Sequence, residues 1–175
     1  MRKMHGTLLA ILFCALAGRA SAASVTFGRW LVATSADGGD VYAATVNGRG
    51  EVFGEFCDYH SASCRWLLAV RTPCRFGDVY PILANSRSGA NPIAIFCGGA
   101  LGSRTFGLAL MNQKKLEASI ADSAQIGFAV PLANGGFAVA QFQLKGRVQA
   151  TSFLQKSFFA EIARRRQARS AARSL

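Results

Sequence analysis

The chain predicts a mainly β fold: a compact antiparallel β-sandwich or barrel-like domain built from repeated hairpins, with a C-terminal α-helix. Three observations predict it. From Ala23 to about Gly146, short apolar runs rich in Val, Ile, Phe, Trp and Tyr are punctuated by Gly, Asn, Asp and Pro turns. Within that stretch a hairpin-sized segment recurs, at residues 39–57 and 77–97. The final segment, from Val148 to about Arg169, lacks Gly and Pro and places Leu154, Phe158 and Ile162 at helical spacing. The 175 residues, half of them hydrophobic, suffice for one domain with a substantial core.

The first 22 residues read as an export signal. Arg2 and Lys3 precede an apolar run of 13 residues from Gly6 to Gly18, and Ala20-Ser21-Ala22 supplies a small-x-small cleavage site. A membrane anchor would need roughly 20 apolar residues, and Arg19 ends this run. Lipidation at Cys14 is disfavoured by Phe13, where a small residue is required. The reading therefore places the protein in the periplasm or outside a Gram-negative cell, with no transmembrane segment after cleavage.

The predicted strands follow in order. Trp30–Thr34 precedes Asp37-Gly38-Gly39-Asp40; Val41–Val46 precedes Asn47-Gly48-Arg49-Gly50; Val52–Cys57 leads into a polar loop. Arg65–Val70 ends at Thr72-Pro73, Val79–Ala84 at Asn85-Ser86-Arg87-Ser88-Gly89, and Ile93–Cys97 at Gly98-Gly99. Asn112–Ala121 reads as a short helix or a connecting loop. Gln125–Val130 and Phe137–Leu144 resume the strand pattern around Asn134-Gly135-Gly136. The repeat pairs Gly39-Asp40-Val41-Tyr42 with Gly77-Asp78-Val79-Tyr80, Asn47 with Asn85, Arg49 with Arg87, and Phe56-Cys57 with Phe96-Cys97. A weaker third copy spans Pro131 to Phe142. Trp30, Trp66, Phe53, Phe56, Phe96 and Phe106 are the expected aromatic core; a platform of exposed aromatics for carbohydrate is the alternative.

Once the signal is removed, four cysteines remain: Cys57, Cys64, Cys74 and Cys97. An even number in an exported chain predicts two structural disulfides. The successive spacings of 7, 10 and 23 match neither a C-x-x-C redox motif nor a zinc site, and no metal or other cofactor is predicted. Of three possible connectivities, Cys57–Cys64 with Cys74–Cys97 is favoured, because the first pair would staple a hairpin and the second would close the second repeat. The alternative joins Cys57 to Cys97 and Cys64 to Cys74.

Little points to catalysis. His60 is the single histidine of the mature chain and sits in a polar loop, Asp58-Tyr59-His60-Ser61. A small hydrolase with His60 as base is the enzymatic alternative, although no orienting group or oxyanion site accompanies it in sequence. No carboxylate pair stands out for glycosidase chemistry. Asp40 and Asp78 recur in the repeat and read as turn residues whose carboxylates bond nearby amides. The glycine-rich segments lack the lysine and helix of a phosphate-binding loop.

Charge is the main functional clue. The formal charge is +11, of which +3 belongs to the signal. Residues 156–175 carry +5, from Lys156, Arg164, Arg165, Arg166, Arg169 and Arg173 against Glu161. Such a basic helix end suits anionic lipid, lipopolysaccharide or an acidic protein. Nucleic acid is disfavoured by export and by the absence of aromatics among the arginines. The expected function is thus non-enzymatic binding of a protein or of the envelope surface, with an anionic lipid or lipopolysaccharide binder acting through this helix as the alternative.

Phe27-Gly28-Arg29-Trp30-Leu31-Val32, directly after the signal, resembles the opening of the invasion-associated locus B family of exported Gram-negative proteins. Phe142-Gln143-Leu144-Lys145-Gly146 is similar to that family's terminal segment. The resemblance implies a β-rich, disulfide-bearing envelope protein associated with host interaction, and it carries over no catalytic residue. Ala33-Thr34 stands where the family usually has a cysteine, and the Gly-Asp-Val-Tyr duplication is not part of the family's pattern.

Overall fold

Alternation along the strands decides which side chains point to the core. The computed structural model describes residues 24–101, 105–132 and 134–173; the signal segment and the last two residues lie outside them. Ten strands form one antiparallel sheet: β1 Val25–Phe27, β2 Trp30–Thr34, β3 Asp40–Val46, β4 Val52–Asp58, β5 Ser63–Val70, β6 Val79–Ser86, β7 Gly89–Ala100, β8 Phe106–Leu110, β9 Gln125–Pro131 and β10 Phe137–Gln143. Helix α1 spans Gln113–Ile120 and α2 spans Arg147–Arg173. The strand order is β1-β2-β3-β4-β5-β8-β7-β6-β9-β10.

One face of this sheet carries Trp30, Val32, Ala43, Phe53, Cys57, Trp66, Leu68, Ile82, Ile93, Ile95, Leu108, Phe128 and Phe142, all buried. Within a strand these residues are two or four apart, as a half-buried strand requires. The sheet curls around them, because Phe53 of β4 meets Phe128 of β9 and Phe142 of β10, with ring centroids 5.0 and 5.6 Å apart. Leu116 and Ile120 of α1, and Ala150, Leu154 and Phe158 of α2, join the same core. Asn112 caps α1 by accepting a hydrogen bond from the Lys115 amide.

The fold is barrel-like, but β1 and β10 share no ladder. Individual hydrogen bonds bridge the seam instead. Trp30 Nε1 donates to the Gln143 carbonyl and the Arg29 amide to the Lys145 carbonyl, each at 3.1 Å. The Arg49 guanidinium reaches the Val139 carbonyl from the β3–β4 turn. Gly28 and Gly146 both adopt positive φ (+59° and +94°) where the two ends of the sheet pass. A Cβ on Gly28 would lie 2.7 Å from the Lys145 carbonyl oxygen, and one on Gly146 would overlap that of Phe27.

Both favoured disulfides form, Cys57–Cys64 and Cys74–Cys97. Cys57 and Cys64 are directly opposed on β4 and β5. The predicted strands all occur, while β1 and β8 are additional. Both are short (three and five residues), and β8 follows a segment with little strand patterning. Gly98-Gly99, expected as a turn, instead lies within β7 at a bulge where pairing with β8 shifts register.

The repeat maps onto hairpins β3–β4 and β6–β7, but its two copies differ in facing. Val41 is buried opposite Cys57, whereas its counterpart Val79 is 56% exposed opposite Phe96. A register slip of one residue accounts for the reversal, since it moves a side chain to the other face. Phe56 and Phe96 also leave the expected core. They neighbour the inward Cys57 and Cys97, so they point outward, where Phe56 stacks on Tyr42 and Phe96 meets Phe76 edge-on.

Replacing Gly146 with Ala should lower the unfolding free energy by about 2 kcal/mol or more, since a strained φ and a backbone overlap coincide. Urea denaturation of the oxidised protein checks this; an unchanged midpoint would show that the seam tolerates a Cβ.

Candidate functional site

The segment with the strongest charge is also the one that leaves the fold. The N-terminal half of α2 packs on β1–β3 and on the β4–β5 turn: Phe153 meets Phe27 of β1 (5.6 Å between centroids) and Phe158 stacks on Tyr59 of the turn (5.3 Å). The anchor ends at Arg165, whose guanidinium lies 4.3 Å above the Tyr59 ring. From Arg166 to Arg173 every residue is exposed. At 1.5 Å per residue, that is an arm of roughly 12 Å standing clear of the sheet.

The six basic residues of this segment divide into three sets. Glu161 binds both Arg164 and Arg165, each at 2.7 Å. The hydrogen bond from Arg164, followed by that from Arg165, pulls its carboxyl down to about 2. Lys156 is exposed on the anchored half. Arg166, Arg169 and Arg173 have no acidic partner among the described residues, and their spacing of three and four sets them along one side of the helix. Phe159, seven residues before Arg166, extends that side and is 60% exposed. The positive end also complements the negative pole of the helix. Among the described residues no helix is long and apolar enough to cross a membrane.

The hydrolase candidate His60 lies in the β4–β5 turn and is exposed. Its backbone amide and the Ser61 hydroxyl donate to the two oxygens of Asp58, at 2.6 and 2.9 Å. Asp58 thus caps the turn, and among the described residues no hydrogen bond joins the imidazole to Ser61. Asp37 likewise accepts the Gly39 amide, the role expected of Asp40. Asp40 instead lies across from Asp58 on β4, and burial, with Asp58 adding repulsion, raises its pKa. The Asp78 amide donates to the Arg75 carbonyl, and its own carbonyl accepts the Cys97 amide.

A second group was not singled out from sequence. Glu55 alternates with Phe53 and Cys57 and is consequently carried into the core, 5% exposed. Its carboxylate accepts two hydrogen bonds from Gln155 Nε2 of α2, at 3.0 and 3.3 Å. Burial raises its pKa, and Glu117 of α1 adds repulsion; Gln155 and Arg147 of α2 act the other way. Glu55 lies within 4.8 Å of the sulfurs of Cys57 and Cys64, a grouping that would suit a metal if the sulfurs were free, but both are committed to the disulfide. The two-residue spacing of Phe53, Glu55 and Cys57 was the signal in sequence that marks this acid as inward.

A shallow groove of about 540 Å³ lies on the outer face of β6, β9 and β10, lined by Asn85, Arg87, Asp122, Gly127 and Gln141 among others. Comparison of the chain with protein-family models, with curated proteins and with solved structures finds no match in any of the three.

The raised pKa of Glu55 fixes a sign. Its folded state holds a proton above the ordinary glutamate value, so the stability it contributes is present at low pH and is lost as pH rises through the folded pKa. Glu55→Gln should flatten the decline of stability from acidic to neutral pH, read as urea midpoints across that range; an unaltered slope would show that Glu55 titrates as it does in the unfolded chain.

Proposed function

We propose that the protein is exported, periplasmic or secreted, and acts by binding rather than by catalysis, with the arm of α2 docking on an anionic envelope surface. The observation that carries this reading is the exposure of residues 166–173 together with the absence, among the described residues, of acidic partners for Arg166, Arg169 and Arg173. Two of the six basic residues are spent on Glu161, so the outward charge is concentrated beyond the fold. Phosphate groups, of anionic lipid or of lipopolysaccharide, match guanidinium groups in charge and in hydrogen-bonding geometry. Exposed Phe159, on the same side as these arginines, adds apolar contact at an interface. Export is supported by the predicted signal segment and by the two disulfides, which persist in oxidising compartments. Association with a host rests on the resemblance to the invasion-associated locus B family.

Phe158 is fully buried, so the binding test removes charge only beyond the anchor. The variant R166Q/R169Q/R173Q should keep the wild-type circular dichroism. Its affinity for vesicles containing phosphatidylglycerol should fall by about 100-fold, given about 1 kcal/mol per basic residue near an anionic surface. Phosphatidylcholine vesicles should bind neither protein, and lipopolysaccharide micelles compared with phosphatidylglycerol vesicles distinguish the two phosphate sources. Equal binding by the wild type and the variant to both anionic surfaces would remove the arm from the function.

A further inference from the structure

We infer that the Cys57–Cys64 disulfide is a thiol-exchange site in which Glu55 supplies the proton to the departing Cys57 sulfur when a dithiol donor reduces the bond. Three observations combine. The two cysteines differ in burial: Cys57 is fully buried, whereas Cys64 is half-buried between exposed Ser63 and Arg65 at the start of β5. An external thiolate therefore attacks Cys64, and Cys57 is the leaving group. A thiolate released at Cys57 would be an uncompensated charge in the core, which burial strongly disfavours. Glu55 is the acid in place to prevent it, because its carboxyl oxygen lies within 4.8 Å of both sulfurs.

The groups facing Glu55 keep this acid functional. Glu117 from α1 and burial favour the protonated form; Arg147 and the amide of Gln155, both from α2, favour the carboxylate. The opposed influences leave a group that can give up its proton and regain it. Cys74–Cys97 provides an internal comparison. It also joins a half-buried cysteine to a buried one, yet among the described residues no carboxylate is grouped with it.

The exchange balances as a two-electron transfer. One sulfur of the donor, as thiolate, bonds to Cys64 Sγ while the Cys64–Cys57 bond breaks; Cys57 takes the electron pair and the Glu55 proton. The donor's second thiol then attacks its own sulfur in the mixed disulfide, so the donor leaves oxidised as a disulfide and Cys64 takes that thiol's proton. Glu55 recovers a proton from solvent. The absence of a C-x-x-C motif is no obstacle, because β4 and β5 place the two cysteines directly opposite each other.

The test uses the oxidised mature protein with dithiothreitol as donor, and alkylation with mass mapping follows each disulfide separately. Cys57–Cys64 should open at least about tenfold faster than Cys74–Cys97, and E55Q should slow only the former by about tenfold or more, as expected for loss of a general acid. The rate constant per dithiothreitol thiolate should fall as pH rises through the titration of Glu55. Should E55Q fail to fold, Q155A retains the acid but removes a donor that stabilises the carboxylate, so the fall should move to higher pH. Equal rates for the two disulfides would overturn the inference. So would a Cys57–Cys64 rate that is unaffected by E55Q, or one with no dependence on pH in the wild type and Q155A.

Discussion

The seam between the two ends of the sheet is the constraint on which the rest depends. A ten-stranded sheet with one apolar face must curl to remove that face from water, and here it does so until β2 and β10 touch. The ends meet without a ladder, so close approach of backbone replaces pairing. Gly28 and Gly146 permit that approach, Trp30 and Arg29 donate across it, and Arg49 clasps it from the neighbouring hairpin. Phe27–Val32 and Phe142–Gly146 are thus the two segments that meet at this seam.

Curling leaves an interior that side chains of the sheet alone do not fill, and the helices complete it. Leu154 and Phe158 of α2 pack against the same surface as the inward residues of β2 and β3. This packing delivers Gln155 to Glu55, the one inward acid of β4. A carboxyl in that position is costly unless it is hydrogen-bonded or protonated; Gln155 supplies hydrogen bonds, and burial favours the protonated form. The same geometry brings the acid beside the Cys57–Cys64 bond. Trp66, across from Glu55 on β5, leaves its indole N–H without a partner among the described residues.

The anchoring of α2 also sorts its charges. Arg165 is held over Tyr59 and shares Glu161 with Arg164, so these two belong to the fold. Arg166, Arg169 and Arg173 belong to the exposed arm. Local composition marked the whole basic segment, but the distinction between an anchoring and an outward arginine depends on where the helix loses contact with the sheet.

Much of the architecture was legible in the sequence because its determinants are local. Period-two apolar runs, turn residues and an i, i+4, i+8 stripe specified the eight expected strands and the long helix, and hairpin spacing favoured the correct disulfides. The short strands β1 and β8 carried too little pattern to register. Facing was less accessible: Val41 and Val79 stand in the same four-residue motif, yet a one-residue difference in pairing sends them to opposite sides. Local patterns were enough to specify which segments pair or coil, where the cysteines can meet and where the charge lies. Which side of each strand became core, that Glu55 entered it, and that the last three arginines lie outside it came from packing. Register and helix docking are set by contacts between residues far apart in the chain, and a local pattern does not contain them.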